Sequence, residues 1–136
     1  MQLNQVTLPA KDIPASVAFY QAMGFELIVS SPHYARFKST VGDSTFSVHA
    51  TADDAGGTAA TVYFECADLD AQVAELKARG LPFIHDAVDQ PWLWREARLQ
   101  DPSGNVICLY HAGENRLNPP WRVQRGEHRS TGPSDA

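Results

Sequence analysis

DIPASVAFYQAMGF, residues 12–25, and DLDAQVAELKARGL, residues 68–81, are two versions of one stretch. Each opens on an aspartate suited to a helix N-cap and runs to a glycine suited to the stop after the last turn. The offset is 56 at both ends (68 − 12 and 80 − 24). Ile13/Leu69, Val17/Val73 and Tyr20/Leu76 are apolar at matching places, spaced i, i+4, i+7 like one face of a helix. Outward from this pair the match continues. Upstream, Val6/Val62 and Leu8/Phe64 agree, and downstream Ala35-Arg36-Phe37-Lys38 returns as Ala97-Arg98-Leu99-Gln100. The second offset is 62 (97 − 35), so the second copy carries a short insertion. Two copies of one supersecondary unit predict a pseudo-symmetric fold with a site where the halves meet.

Each copy reads as β-α-β-β-β. In the first, strands are expected at 2–8, 25–29, 34–38 and 45–50, with a helix from Asp12 to Gly24 and Pro14 in its first turn. In the second, strands are expected at 61–66, 81–84, 94–100 and 106–110, with a helix over 68–79. Asp101-Pro102-Ser103-Gly104-Asn105 reads as the hairpin turn between the last two strands. Strand alternation then assigns faces. Val6, Leu8, Ala35, Phe37, Phe46 and Val48 mark the side covered by the first helix, and Val62, Phe64, Ala97, Leu99, Ile107 and Leu109 the side covered by the second. The opposite face carries Gln5, Thr7, Tyr34, Arg36, Lys38, Thr45, Ser47 and His49 in unit one. In unit two it carries Thr61, Tyr63, Glu65, Glu96, Arg98, Gln100, Val106, Cys108 and Tyr110. That face is too polar for a dry core and too aromatic for a plain solvated surface, which fits a half-open cleft.

Composition narrows the function classes. At 136 residues and 43% hydrophobic content the chain suits one globular domain, with 1–118 as its body (units at about 3–55 and 59–112). From 119 to 136 an extended Pro-Pro-Trp segment and a mobile polar tail are expected, with Trp121 docking as an anchor. A net charge of −5 argues against nucleic acid, since phosphate neutralisation needs a basic face. No apolar run approaches the ~20 residues of a membrane span, and the start of the chain has no secretory pattern. Two cysteines make no disulfide framework, so a cytoplasmic location is expected.

The paired units, the Phe19-Tyr20-x-x-Met23-Gly24-Phe25 run and the Asp101–Asn105 turn together resemble the vicinal oxygen chelate superfamily. That group holds glyoxalase I, bleomycin-resistance proteins, fosfomycin-resistance proteins and extradiol dioxygenases. The resemblance covers roughly residues 3–112. It implies an α+β fold in which the repeats form a cup-shaped mixed sheet around a small-molecule site, and a homodimer. Catalytic members hold a divalent metal through residues on the first and last strand of each unit, which map here to Gln5, Ser47, Thr61 and Cys108. The family pattern wants His, Gln or Glu there, and only Gln5 complies. Hydroxyls are poor ligands for a divalent ion without carboxylate or imidazole companions. The expectation is therefore no metal and no cofactor. Gln5, His49 and Glu65 are the candidates for a displaced site; alternatively, His49 and Glu65 hydrogen-bond to each other, to Arg36 or to Arg98.

The ligand-binding candidates are Gln5, Tyr34, Arg36, Ser47, His49, Thr61, Tyr63, Glu65, Trp94, Arg98, Cys108 and Tyr110. The tyrosines, with Trp92 and Trp94, offer flat walls; alternatively the tyrosines pack at a dimer interface. Trp92 and Trp94 also read as a plug for the barrel end or a lid. Arg36 and Arg98 could clamp a carboxylate or phosphate, or could pair with Glu65 and Glu96. Cys108 reads as a buried, inert thiol. The leading expectation is a metal-free small-molecule-binding protein. The alternatives are a lyase or dioxygenase with a displaced metal, a metal-free isomerase with Glu65, His49 or Glu96 as base, and a non-catalytic regulatory or subunit domain.

Overall fold

The computed structural model describes residues 1–52 and 57–123. The chain runs β1 (Gln5–Ala10), α1 (Ile13–Ala22), β2 (Glu26–Ser31), β3 (Tyr34–Lys38), β4 (Thr45–Ala50), β5 (Thr61–Glu65), α2 (Leu69–Ala78), β6 (Phe83–Asp89), β7 (Arg95–Gln100) and β8 (Val106–His111). Both units are β-α-β-β-β, as the repeat predicts, and the fold is α+β. Hydrogen bonding divides the strands into two mixed four-stranded sheets, ordered β1-β4-β3-β2 and β5-β8-β7-β6. In each, the first strand lies parallel to the last, and the remaining pairs are antiparallel. The repeat extends to register: Arg36 stands opposite Ser47 as Arg98 stands opposite Cys108.

The helix signals act as read. The Asp12 carboxylate accepts from the Ala15 N–H at 3.0 Å, and the Asp68 carboxylate from the Ala71 N–H at 3.2 Å. Just past each helix, Gly24 (φ 102°) and Gly80 (φ 88°) take the left-handed conformation that turns the chain back toward its sheet. The alternating apolar residues all meet on the helix-covered side. One core takes Leu8, Tyr20, Phe37, Phe46 and Val48 from unit one and Leu76, Leu99, Ile107 and Leu109 from unit two.

Side chains, not strand pairing, join the units. Phe64 of β5 packs 4.8 Å from Phe25 and 5.3 Å from Phe46, ring centre to ring centre. The Arg79 guanidinium donates to the Ala22 carbonyl at 2.8 Å. At the far end the Asp101–Asn105 turn does more than reverse the chain. The buried Asp101 carboxylate accepts from the Tyr20 hydroxyl (2.7 Å), the N–H groups of Ser103 and Asn105 (both 2.9 Å) and the Asn105 amide (2.8 Å). Asn105 also donates to the Pro9 carbonyl at 2.8 Å, and the Ser103 hydroxyl accepts from the Lys11 N–H at 2.8 Å. The turn is thus the clasp that holds unit two against β1 and α1.

Element edges differ from expectation where polarity hides them. β1 starts at Gln5 and runs on to Ala10. β6 extends through His85, Asp86 and Asp89, whose charges mask a strand with two register irregularities. Trp94 lies just before β7, after Leu93 has turned the chain at φ 67°. A 3-10 turn at Gly113–Arg116 was not anticipated, and Pro119 to Arg122 closes a turn rather than running extended (Arg122 N to Pro119 O, 3.0 Å). Trp121 is half-buried. The mobile tail expected over 124–136 lies outside the described residues. Among the described residues no helix is long and apolar enough to cross a membrane.

Candidate functional site

With both helices and the inter-unit contacts on the apolar side, the opposite face of each sheet is left open. Among the described residues no hydrogen bond or ring contact links the two polar faces. Each has its own chemistry.

On the first face, Ser47 lies on the central strand β4 between Thr7 of β1 and Arg36 of β3. Its hydroxyl is fully buried, accepts from Gln5 Nε2 at 2.8 Å and shares a 2.5 Å hydrogen bond with the Tyr34 hydroxyl. Arg36 Nε donates to the same Tyr34 oxygen at 2.9 Å, and its guanidinium lies 5.4 Å from the Tyr34 ring centre. Thr45 donates to the Gln5 carbonyl oxygen. Burial would raise the Tyr34 pKa, but the hydrogen bonds from Ser47 and Arg36 and the guanidinium charge outweigh it, leaving the phenol more acidic than a free tyrosine. His49 is exposed, its ring edge-on to Tyr34 at 6.3 Å.

The second face is aromatic. Trp94 and Tyr110 stack at 4.7 Å with planes 22° apart, and Tyr63 meets both nearly perpendicular at 5.9 and 5.6 Å. Trp94 Nε1 donates to the Asn115 carbonyl at 3.3 Å, so the 3-10 turn fixes the indole. Beside this cluster Glu96 is 1% exposed. Its carboxylate accepts from Trp92 Nε1 at 2.8 Å and from Arg98 at 3.2 Å, and Arg98 also donates to the Tyr63 hydroxyl at 3.2 Å. A charge this deep needs such partners. Trp92 is therefore a donor to Glu96, a role its place beside Pro91 did not disclose. Arg98–Glu96 pairing was among the sequence alternatives.

Glu65 is engaged elsewhere. Its carboxylate accepts the N–H groups of Ala112 (2.9 Å) and Gly113 (3.0 Å), and Arg116 lies 3.7 Å away. It thus holds the start of the 3-10 turn and pairs with neither His49, Arg36 nor Arg98. Gln5 is tied to Ser47 and Thr45. Gln5 and Glu65 both border the cleft between β1 and β5, but His49 does not, so the displaced trio does not converge, and among the described residues no three His, Cys, Asp or Glu side chains gather as a metal-binding group.

The four positions mapped from metal-binding relatives do not fit a divalent ion. Gln5 and Ser47 satisfy each other, Thr61 offers a half-buried hydroxyl, and Cys108 is fully buried. Burial first, then the Glu96 charge, pushes the Cys108 thiol up to about 12, against partial relief from Arg98. A thiol held neutral is a poor metal ligand. Cys66 is likewise pushed up to about 11, by burial and then by Glu65.

These shifts set an alkaline limit. An unfolded thiol ionises near 9, whereas the folded ones hold their protons to about 11 and 12. The stabilising contribution is present below pH 9 and is lost as pH rises through that window. Tyr20, raised by burial and then by Asp101, acts in the same sense above pH 10. Urea unfolding midpoints should therefore fall steadily from pH 9 to 12, and less so in Cys108→Ala. A flat profile would contradict the burial of these groups.

One cavity is bordered by residues of both polar faces, Gln5 and Thr45 of the first and Tyr63 and Glu65 of the second. This cleft of about 840 Å³ separates β1, β5 and α2 and is lined in part by Phe25, Phe46, Phe64, Leu76, Glu75 and Arg79. It occupies the place pseudo-symmetric to the Asp101 clasp. The β3–β4 connection that borders it, Ser39 to Ser44, has no counterpart of the Asp101/Asn105 pair, and that missing match was the available sequence signal.

The family model described as "Glyoxalase/Bleomycin resistance protein/Dioxygenase superfamily" matches residues 2–109. Among solved structures, a glyoxalase/bleomycin resistance protein/dioxygenase from Nocardioides is 21% identical with a TM-score of 0.74, over 91% of this chain and 90% of that one. A bleomycin-binding protein complexed with bleomycin is 20% identical with a TM-score of 0.69, over 82% and 98%. A family enzyme from Burkholderia phytofirmans PsJN is 24% identical with a TM-score of 0.67, over 82% and 99%. At these identities the likeness concerns the fold. No curated protein sequence matches.

Proposed function

The chain belongs to the glyoxalase/bleomycin resistance protein/dioxygenase superfamily, and on that premise we propose that it binds a small organic molecule without the metal its catalytic relatives use. The observation that carries this reading is the second face. Tyr63, Trp94 and Tyr110 form a fixed aromatic surface flanked by polar groups, the composition of a small-molecule pocket. A structural relative that is itself a bleomycin-binding protein supports the same reading. The working unit in this proposal is a homodimer, in which two such faces enclose one shared cleft. The first face of one copy then meets the second face of the other, and Tyr34, Arg36, Tyr63, Trp94, Arg98 and Tyr110 line the shared site. Ser47 and Cys108, both buried, support the walls.

Two measurements test the proposal together. Light scattering should give about 30 kDa, twice the 14.9 kDa chain. Elemental analysis after incubation with Mn²⁺, Fe²⁺, Ni²⁺ and Zn²⁺ should give well below one ion per chain, while some aromatic compounds in a thermal-shift screen raise the Tm. Trp94→Ala should weaken such a compound about tenfold, since an aromatic contact contributes ~0.5–1.5 kcal/mol beyond its buried area. Near-stoichiometric metal would instead favour a lyase or dioxygenase. A complete lack of stabilising compounds would favour a regulatory or subunit role.

A further inference from the structure

The pseudo-symmetric arginines are not equivalent. Arg98 is neutralised by the buried Glu96 carboxylate and also bonded to Tyr63. Arg36 has no carboxylate within ion-pair distance among the described residues. Its cross-strand neighbours are uncharged, Val29 on β2 and Ser47 on β4. The next cation along β3, Lys38, stands opposite Glu26 and donates to the Ser39 carbonyl. Arg36 is half-buried, and its Nε is spent on the Tyr34 hydroxyl. Tyr34 is in turn held by Ser47, which is held by Gln5. That chain fixes the guanidinium plane, and its two terminal nitrogens make no hydrogen bond among the described residues.

We propose that Arg36 receives an anionic group of the ligand, a carboxylate or a phosphate, on the free edge of its guanidinium. The proposal rests on the small-molecule reading of these faces and narrows it to organic anions. A planar fork with two parallel N–H donors matches either anion bidentately, which an ammonium cannot do. In a chain of net charge −5, an uncompensated and immobilised guanidinium on an open face is a local exception that an anion would neutralise. Arg98 cannot take this role without leaving Glu96 short of its partner.

The test is an NMR titration of the full-length chain with four probes sharing one ring: benzoate, phenyl phosphate, benzamide and benzamidine. Benzoate or phenyl phosphate should shift resonances of Tyr34, Arg36 and Ser47 and bind more tightly than benzamide, with benzamidine weakest. A preference between the two anions tells carboxylate from phosphate. Arg36→Gln should weaken the preferred anion at least tenfold and benzamide far less. Arg36→Lys, which keeps the charge and loses the fork, should fall between. An anion affinity unchanged in Arg36→Gln, or benzamidine bound as tightly as benzoate, overturns the anion assignment and leaves small-molecule binding standing. If none of the four moves a resonance on either face, both readings fall.

Discussion

Asp101→Ala should lower the unfolding free energy by about 3–5 kcal/mol, a large part of the ~5–15 kcal/mol that a domain of this kind possesses. The carboxylate is 4% exposed and collects four donors: the Tyr20 hydroxyl, two backbone N–H groups and the Asn105 amide. Alanine leaves all four without an acceptor in a place water reaches poorly, at a cost of ~1–3 kcal/mol for each group that finds no substitute. It also undoes the clasp that brings Asn105 to Pro9 and Ser103 to Lys11. Tyr20→Phe is the milder control, because Asp101 then keeps three donors; about 1–2 kcal/mol is expected. Urea titration of both variants at pH 7 decides the matter. A loss under ~1 kcal/mol in Asp101→Ala would mean that the turn does not hold the units together.

Phe46→Ala is the second large effect. The ring is 2% exposed and lies within about 5 Å of four others: Tyr20 at 4.9 Å, Phe25 at 5.0 Å, Phe37 at 5.1 Å and Phe64 at 5.3 Å. Truncating a buried phenylalanine costs ~3–5 kcal/mol, from lost transfer energy and from the cavity left behind. The upper part of that range applies here, since rings belonging to both units would have to collapse together to fill the void. Phe46→Leu should cost only ~1–2 kcal/mol, because a smaller cavity remains. Equal losses in the two variants would show that volume at this position matters little and that the aromatic contacts do not couple the units.

The parts of the fold that the sequence disclosed are those governed by short periods. Arg36 and Phe37 point to opposite faces because strand side chains alternate, and Asp12 and Gly24 bracket a helix through local hydrogen bonds and a local φ. The repeat then carried these local readings to the second unit. What stayed hidden depends on partners far along the chain. Asp101 looked like a turn residue because its partner Tyr20 lies 81 residues earlier. Glu65 looked like a base candidate because its partners, the Ala112 and Gly113 N–H groups, are 47 and 48 residues away. Parity put Glu65, Ser47 and Cys108 on the correct face but could not say that two are covered and the third is bonded. The open arginine was half legible: the repeat paired Arg36 with Arg98, and only the structure shows that one of them already has its counter-ion.

Among the described residues, dividing eight strands between two sheets gives four strand edges where a single sheet would have two. Unpaired edges invite addition of foreign strands, and three of these four are blunted. β1 carries Pro9, which has no N–H to offer, β2 shifts register between Leu27 and Val29, and β6 shifts twice while carrying Asp86 and Asp89. β5 is the exception. Its five residues, Thr61-Val62-Tyr63-Phe64-Glu65, are rich in β-branched and aromatic side chains and contain no proline. Its residues line the 840 Å³ cleft, so the weak point for self-association in this fold is an unblunted strand facing a cleft.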